Sequence, residues 1–114
     1  MTVYLVESYP VKKDRIGRYR AVMRRIHKGL REYRRDVPEL LSYKTFEAGR
    51  QGSVRRFVEL FEFTDQQGMN RFFGRFPKTQ WLKTLGQDFF KVVPRRAIQM
   101  SMWNEFLSDE WFTR

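Results

Sequence analysis

Val54-Arg55-Arg56-Phe57-Val58-Glu59-Leu60-Phe61-Glu62-Phe63 is the stretch on which the fold turns. Aromatic and β-branched residues dominate it, and no glycine or proline interrupts an extended chain. Side chains alternate across a strand, so Phe57, Glu59, Phe61 and Phe63 point one way while Val58, Leu60 and Glu62 point the other. Both faces are therefore largely apolar. A strand of that kind is covered on both sides, as a central strand of a sheet is.

The neighbouring segments follow from this strand. Upstream, Gly49-Arg50-Gln51-Gly52-Ser53 supplies two glycines for a turn, and Leu40 to Ala48 reads as the strand paired through it. Before Pro38, the residues Ile16, Tyr19, Met23, Ile26, Leu30, Tyr33 and Val37 recur at three- and four-residue spacing. That stripe predicts an amphipathic helix of about six turns, capped by Asp14 and stopped by Pro38. Arg18, Arg24, Arg25, Lys28, Arg31 and Arg35 fall on its opposite side. Thr2 to Tyr9 reads as a first strand ended by Pro10. Downstream, Thr64 or Asp65 caps a second helical region. Its first piece carries Met69, Phe72, Phe73 and Phe76; Pro77 breaks it; its second carries Trp81, Leu82, Leu85, Phe89 and Phe90. Ala97 to Trp103 is the last strand. The order β-α-β-β-α-β is the ferredoxin-like plan, an α+β domain with a four-stranded antiparallel sheet. It spans residues 1–114 as one domain, since a chain of 114 residues holds one core and not two.

Composition narrows the function classes. There is no cysteine, which excludes disulfides, thiolate metal sites and a cysteine nucleophile. No run approaches the roughly 20 apolar residues of a membrane span, and Val3 to Val6 is too short for a signal peptide, so a cytoplasmic location without membrane association is expected. Aromatic residues make up 17% of the chain, 11 of them phenylalanine, more than a small core absorbs without an interface or a ligand cavity. The tail from Asn104 to Arg114 carries Phe106, Leu107, Trp111 and Phe112. Four large apolar side chains on an exposed tail imply that residues 104–114 pack on a partner subunit. The formal net charge is +10, and 11 of the 23 basic residues lie between Pro10 and Asp36 against three acids. Such a balance attracts anions or nucleic acid; it equally describes a solvated helix face.

The passage Phe57-Val58-Glu59-Leu60-Phe61-Glu62-Phe63-Thr64-Asp65, then Met69-Asn70-Arg71-Phe72-Phe73, then Phe76-Pro77-Lys78-Thr79-Gln80-Trp81-Leu82, resembles the dimeric α/β-barrel superfamily, in particular its antibiotic-biosynthesis-monooxygenase-like proteins. In those an aromatic strand ends in tryptophan, an acidic cap follows and the helix breaks at a short proline-containing segment. The resemblance implies a homodimer in which two sheets face each other with the helices outside. It also implies a small-molecule site, and in some members oxygenase chemistry without metal or flavin on an aromatic or polyketide-like substrate. Two positions depart from the pattern. Phe63 stands where the tryptophan is usual, and no histidine occupies the second helix near Phe72 or Phe73. The haem-degrading branch takes its iron ligand from that helix, so this chain is not expected to bind haem in that way, and no cofactor is assigned.

Candidate chemistry centres on few residues. Glu59 lies between Phe57 and Phe61 on its face, and desolvation there raises a carboxyl pKa and suits a base; the alternative is an ion pair with Arg56 or an arginine of the first helix. In the ferredoxin-like order the first and third strands are adjacent, so Glu7 and Glu59 can meet. Glu47 is a third strand carboxylate. His27, the only histidine, sits at the edge of the first helix's stripe, where it serves either as acid or donor or as a boundary residue bonded to a neighbour. One histidine excludes a His-based metal site, and the carboxylates have no metal-ligand spacing. Met100 and Met102 share a face of the last strand and Trp103 points the other way. An apolar pocket walled by Phe61, Phe72, Trp81 and Trp103, with Tyr43 supplying a hydroxyl, is the expected ligand site, with Glu59 and His27 as its catalytic groups.

Two functional readings remain open at this stage, besides an oligomeric module without catalysis. The first is a small-molecule-binding dimeric barrel. The second is an RNA-binding domain of RRM type, which shares the element order; Val3-Tyr4-Leu5-Val6 and Arg56-Phe57-Val58-Glu59-Leu60-Phe61 loosely follow its two sheet motifs. Against it stand the missing glycines of the third-strand motif, the negative charge of Glu59 and Glu62, and the length of the first helix. The arginines of that helix spread over more than half its circumference, with no aromatic interleaved for base stacking. Nucleic-acid binding is expected to be weak, blind to sequence and steeply salt-dependent. Fluorescence anisotropy with labelled RNA at increasing salt checks this. Binding that survives high salt and is lost on replacing Arg24, Arg25 and Arg31 would contradict it.

Overall fold

A computed structural model describes residues 2–107. Trp111 and Phe112, with the rest of 108–114, lie outside the described residues. The strands are β1 (Val3–Lys12), β2 (Leu40–Gln51), β3 (Val54–Phe63) and β4 (Gln99–Asn104), and the helices α1 (Ile16–Glu32), α2 (Gln66–Arg75) and α3 (Gln80–Val92). The four strands form one antiparallel sheet in the order β2-β3-β1-β4. This is the ferredoxin-like plan, with the β3 stretch placed centrally as its two apolar faces require.

All three helices cover one face of the sheet. The register pairs Val3 with Phe63, Leu5 with Phe61, Glu7 with Glu59 and Tyr9 with Phe57, and these side chains face the helices. Two buried clusters result. One joins Tyr9, Val11 and Phe57 to Ile16, Tyr19, Val22 and Met23 of α1 and to Phe89 and Val92 of α3. The other joins Leu5, Phe61 and Phe63 to Val37, Phe72 and Leu82. Tyr43 packs against both. Close approach of α1 and α3 depends on Gly29, where a Cβ would lie 2.9 Å from Leu85 Cδ1.

Several boundaries differ from those the sequence predicts. Pro10 does not end β1, which runs on to Lys12. The ladder with β4 stops at the Ser8–Gln99 pair, so one side of β1 is free beyond it and a residue without N–H is tolerated there. Asp14 is not a helix cap: it lies inside a 3-10 turn, Lys13–Arg15, that leads into α1. The helix is shorter than its stripe, ending at Glu32 before a second 3-10 turn, Arg34–Asp36. That turn swings the chain back so that Val37 enters the core at 2% exposure; a straight helix would carry it past the sheet. The hairpin is tighter than expected. β2 continues to Gln51, and only Gly52 and Ser53 form the turn, with Gly52 at φ +59. The last strand begins at Gln99, after a 3-10 turn over Arg95–Ala97.

Asp65 caps α2, its side chain accepting from the Gly68 amide at 2.6 Å. Beside this cap lies a buried ion pair absent from the sequence reading: Glu39, 3% exposed, is bonded by Arg75 Nη1. Gly68 lets the two features approach. A Cβ there would sit 2.6 Å from Thr64 Oγ1 and 3.0 Å from Glu39 Cβ. Alanine at a helix position ordinarily gains about 1 kcal/mol over glycine. Here Gly68→Ala is expected to destabilise the fold by ~1–3 kcal/mol, the cost of overpacking, measured as a lowered urea midpoint.

Candidate active site

The site lies where the two clusters meet. Register places Glu59 of β3 opposite Glu7 of β1 and opposite Thr45 of β2. All three side chains face the helices. A cavity of about 280 Å³ opens above the two glutamates, lined by Glu7, Tyr43, Glu59 and Phe61 from the sheet and by Phe72, Phe89 and other apolar residues from the helices. Phe61 is its aromatic hub, with ring centroids of Tyr43 at 4.9 Å and of Phe72 at 6.2 Å. Phe73 and Phe90 line the cavity while remaining part-exposed. Arg95 also lines it and lies 4.3 Å from the centroid of the Phe90 ring.

The polar groups form one connected set. Glu59 is 3% exposed. The Tyr43 hydroxyl donates to its Oε1, and Glu7 and Tyr9 lie beside the same carboxyl. Its Oε2 has no hydrogen-bond partner. Burial pushes the pKa of Glu59 up, against the pull of the hydrogen bonds from Tyr43, Tyr9 and Glu7. Glu7 is pushed up to about 8, first by burial and then by the charge of Glu59 and the bond to it. The two carboxyls thus share a site that cannot hold two charges, and near neutral pH the pair retains a proton. Burial also raises the phenols of Tyr9, Tyr19 and Tyr43, with the charge of Glu59 adding in each case. Tyr9 and Tyr19 share a hydrogen bond of 2.8 Å.

Of the residues the sequence singles out, Glu59, Tyr43, Phe61 and Phe72 come together here. The ion pair considered for Glu59 does not form; its partners are a second carboxyl and two phenols, because Arg56 lies on the opposite sheet face. His27 does not line the cavity. It lies in an adjoining groove with Nε2 2.9 Å from Thr45 Oγ1 and its ring 4.7 Å from that of Tyr43. Trp81 is displaced too: it stacks on Tyr33 at 4.9 Å and its Nε1 donates to Asp36 Oδ2 at 3.2 Å, tying α3 to the end of α1. Trp103 is paired with Tyr4 in the ladder and so points to the face away from the helices, 56% exposed. Glu47 is exposed on β2. Sequence reasoning missed Tyr9, Tyr19 and Arg95. The first two were legible in principle, since Tyr9 falls on the Glu7 face of β1 and Tyr19 on the helix stripe. Among the described residues no group of three His, Asp or Glu side chains converges as a metal site would, and no helix is long and apolar enough to cross a membrane.

No protein-family model and no curated protein sequence matches the chain. Solved structures do match it in fold. SnoaB, a cofactor-independent oxygenase from Streptomyces nogalater, superposes with a TM-score of 0.68 at 10% identity, over 94% of this chain and 95% of that one. A monooxygenase from the gene ActVA-Orf6 of Streptomyces coelicolor, solved with the ligand nanaomycin D, gives 0.67 at 15% identity over 94% and 89%. A dimeric ferredoxin-like protein of unknown function from Jannaschia gives 0.62 at 12% identity over 92% and 100%. The chain has the fold of the antibiotic-biosynthesis-monooxygenase-like proteins.

The carboxyl pair predicts how stability follows pH. A carboxyl whose folded pKa lies above its unfolded value favours the neutral form in the fold. Its contribution is complete below pH 4.5 and is lost as pH rises through about 8. Glu7→Gln keeps the shape and cannot ionise. The variant is therefore expected to match the wild type near pH 4.5 and to melt several degrees higher than it above pH 8, where each 1 kcal/mol shifts Tm by roughly 4 °C. Thermal melts followed by circular dichroism across that range check the sign.

Proposed function

We propose that this protein is a small-molecule-binding dimeric α/β barrel whose sheet–helix cavity takes a compact aromatic molecule bearing an acidic hydroxyl, and that it acts on that molecule as a cofactor-independent oxygenase-like enzyme. The observation that carries the reading is Glu59: a carboxyl in the wall of an aromatic cavity, with one oxygen bonded by Tyr43 and the other unpartnered. A buried polar atom left without a partner is costly in a finished core and natural where a ligand completes it. The cavity, at about 280 Å³, sits at the lower end of the roughly 300–1,000 Å³ of small-molecule sites, so two or three fused rings are the appropriate size. Phe61, Phe72 and Phe89 offer ring faces and edges to such a molecule.

The chemistry follows from the pair. Glu7 holds the shared proton and Glu59 accepts a second from the ligand hydroxyl, leaving an electron-rich aromatic anion in a largely apolar pocket. Such an anion is the species that dioxygen attacks when no flavin or metal assists. The fold shared with SnoaB and the ActVA-Orf6 monooxygenase supports this reading over a purely structural one. The RNA-binding alternative loses its basis in the register: Phe57 and Phe61, the aromatics of its third-strand motif, are turned into the core at 6% and 8% exposure and offer no face to a base.

The second sheet face supports the dimer. The helices leave it uncovered, and it presents Val58, Leu60, Phe46 and Trp103. On β4, Trp103 of this face is 56% exposed, and Phe106 and Leu107 follow the strand at 90% and 83%. A partner's sheet laid on this face removes that apolar surface from water. Light scattering at micromolar concentration is expected to give a dimer mass, and Trp103→Glu to give a monomer.

Calorimetry with hydroxynaphthalenes and hydroxyanthracenes tests the cavity, and an oxygen electrode tests the chemistry. Glu59→Gln is expected to retain binding and to slow oxygen uptake by about 10²-fold or more, the usual contribution of a positioned base. If none of these compounds binds, the small-molecule reading fails; if they bind and no oxygen is consumed, the oxygenase reading fails and the binding reading stands.

A further inference from the structure

Two openings flank Tyr43. On one side is the aromatic cavity with the carboxyl pair. On the other is a groove of about 460 Å³ between α1 and β2, lined by His27, Thr45, Phe57 and, from α1, Arg20, Arg24 and Arg31. The groove is the more open of the two to solvent. Hydroxyls and one imidazole span the wall between them. The Tyr43 hydroxyl donates to Glu59 Oε1, Thr45 follows Tyr43 on the same face of β2 and stands opposite Glu59, and Thr45 Oγ1 is 2.9 Å from His27 Nε2. The His27 ring leans on the Tyr43 ring at 4.7 Å between centroids.

We propose that Glu59, Tyr43, Thr45 and His27 form a proton path from the buried cavity to the solvent-facing groove, with His27 as its outer end. The proposal rests on the reading of Glu59 as a base and extends it to the fate of the proton. Once Glu59 has taken a proton from the ligand hydroxyl, that proton has to leave the carboxyl before the next turnover. Along the path Glu59 gives its proton to the Tyr43 oxygen, Tyr43 passes its own to the Thr45 oxygen, and Thr45 passes its own to His27 Nε2. Three O–H bonds break, two new O–H bonds and one N–H bond form, and the charge ends on the imidazolium. His27 then loses the Nδ1 proton to water. The residues are the ones such a path requires: a hydroxyl both donates and accepts, and an imidazole does so near neutral pH. The transfer is concerted, because burial and the nearby Glu59 hold the Tyr43 phenol far above its ordinary value and a free tyrosinate does not form.

His27 is suited to release the proton and not to keep it. From its own helix Arg20, Arg24 and Arg31 border the groove, and from β2 it meets Tyr43, Thr45 and Glu47; β3 contributes only the uncharged Phe57. Burial and then the Arg31 charge lower the imidazole pKa, so the imidazolium is short-lived at neutral pH. His27 and Thr45 touch neither the cavity nor its ligand; Tyr43 and Glu59 do.

The test reads coupling first and turnover second. The imidazole nitrogens of His27, the sole histidine, are followed by nuclear magnetic resonance across pH 5–8 in protein labelled at histidine with nitrogen-15. Glu59→Gln and Tyr43→Phe are each expected to shift the His27 midpoint or its tautomer balance. Thr45→Val, which keeps the shape and removes the hydroxyl, is expected to abolish both responses. A His27 titration identical in wild type, Glu59→Gln and Tyr43→Phe would overturn the path, and so would responses that persist in the Thr45→Val background, which would mark coupling through space. With a hydroxyarene that is turned over, His27→Ala is expected to slow kcat by at least about tenfold with KM unchanged, and imidazole added to the buffer is expected to restore it. Unchanged kcat in that variant overturns the path even where the base is confirmed. Coupling seen by resonance in a protein that binds no hydroxyarene leaves the path standing and removes the oxygenase reading.

Discussion

A carboxyl group at the centre of an aromatic core sets the terms for this molecule. Glu59 occupies the middle of the central strand on the face that the helices cover, where every neighbour along its strand is phenylalanine. An unpaired charge there would cost several kcal/mol, and among the described residues no cation acts on it. The fold answers with a second carboxyl and a set of phenols. Glu7 arrives because antiparallel pairing of β1 and β3 in this register leaves no other residue opposite; slipping the register by one residue would put Leu5, Glu7 and Tyr9 of β1 on the face opposite to Phe57, Glu59, Phe61 and Phe63 of β3. The position of the carboxyl pair and the position of the core are thus one constraint.

The same constraint shapes the helices. Tyr9 and Tyr19 bond to each other above the pair, which requires α1 to cross the sheet with Tyr19 over β1 and Phe57. Gly29 then lets α3 close in from the other side, with Leu85 and Trp81 against the gap a Cβ would fill. Between these contacts the helices do not meet the sheet fully, and the cavity is the space left over. Aromatic rings line it because they are stiff and bulky: packed at the angles seen here, with Phe72 and Phe73 near-perpendicular at 88°, they prop the layer open where aliphatic chains would collapse into it.

Much of this was legible in the residues, and the failures have physical causes. Alternation in β3 gave the central strand and the direction of Glu59, and adjacency of β1 and β3 brought Glu7 to it. Element ends were harder. Pro10 reads as a strand terminator only when both edges are assumed to be paired, and the end of α1 depends on the need to bring Val37 back to the sheet, a tertiary demand invisible in a periodic stripe. Among site residues, those on strands were placed by period alone. Trp103 followed the same rule: its alternation with Met102 already assigns it to the face away from Phe61, so grouping it with Phe61 in one pocket conflicted with the pleat. Trp81 and His27 were misassigned for another reason. Helix side chains at the edge of a stripe can turn toward either neighbour, and partners such as Asp36 and Thr45 are close only in the folded chain.

The sheet presents two apolar faces to two different problems. The helix-side face is covered within the chain along β1 and β3, and there Glu59 gathers Glu7 and the phenols around it. The other face keeps Val58, Leu60 and Phe46 beside Lys44, Arg56 and Glu62, a mixed surface in which Tyr4 and Ser42 both donate to Glu62. A mixed face of this kind suits association: apolar residues drive it, while Glu62 is already held by two hydroxyls and can be covered without an open hydrogen-bonding demand. The strand that joins the two problems is β1. Its Glu7 serves the cavity and its Tyr4 the opposite face.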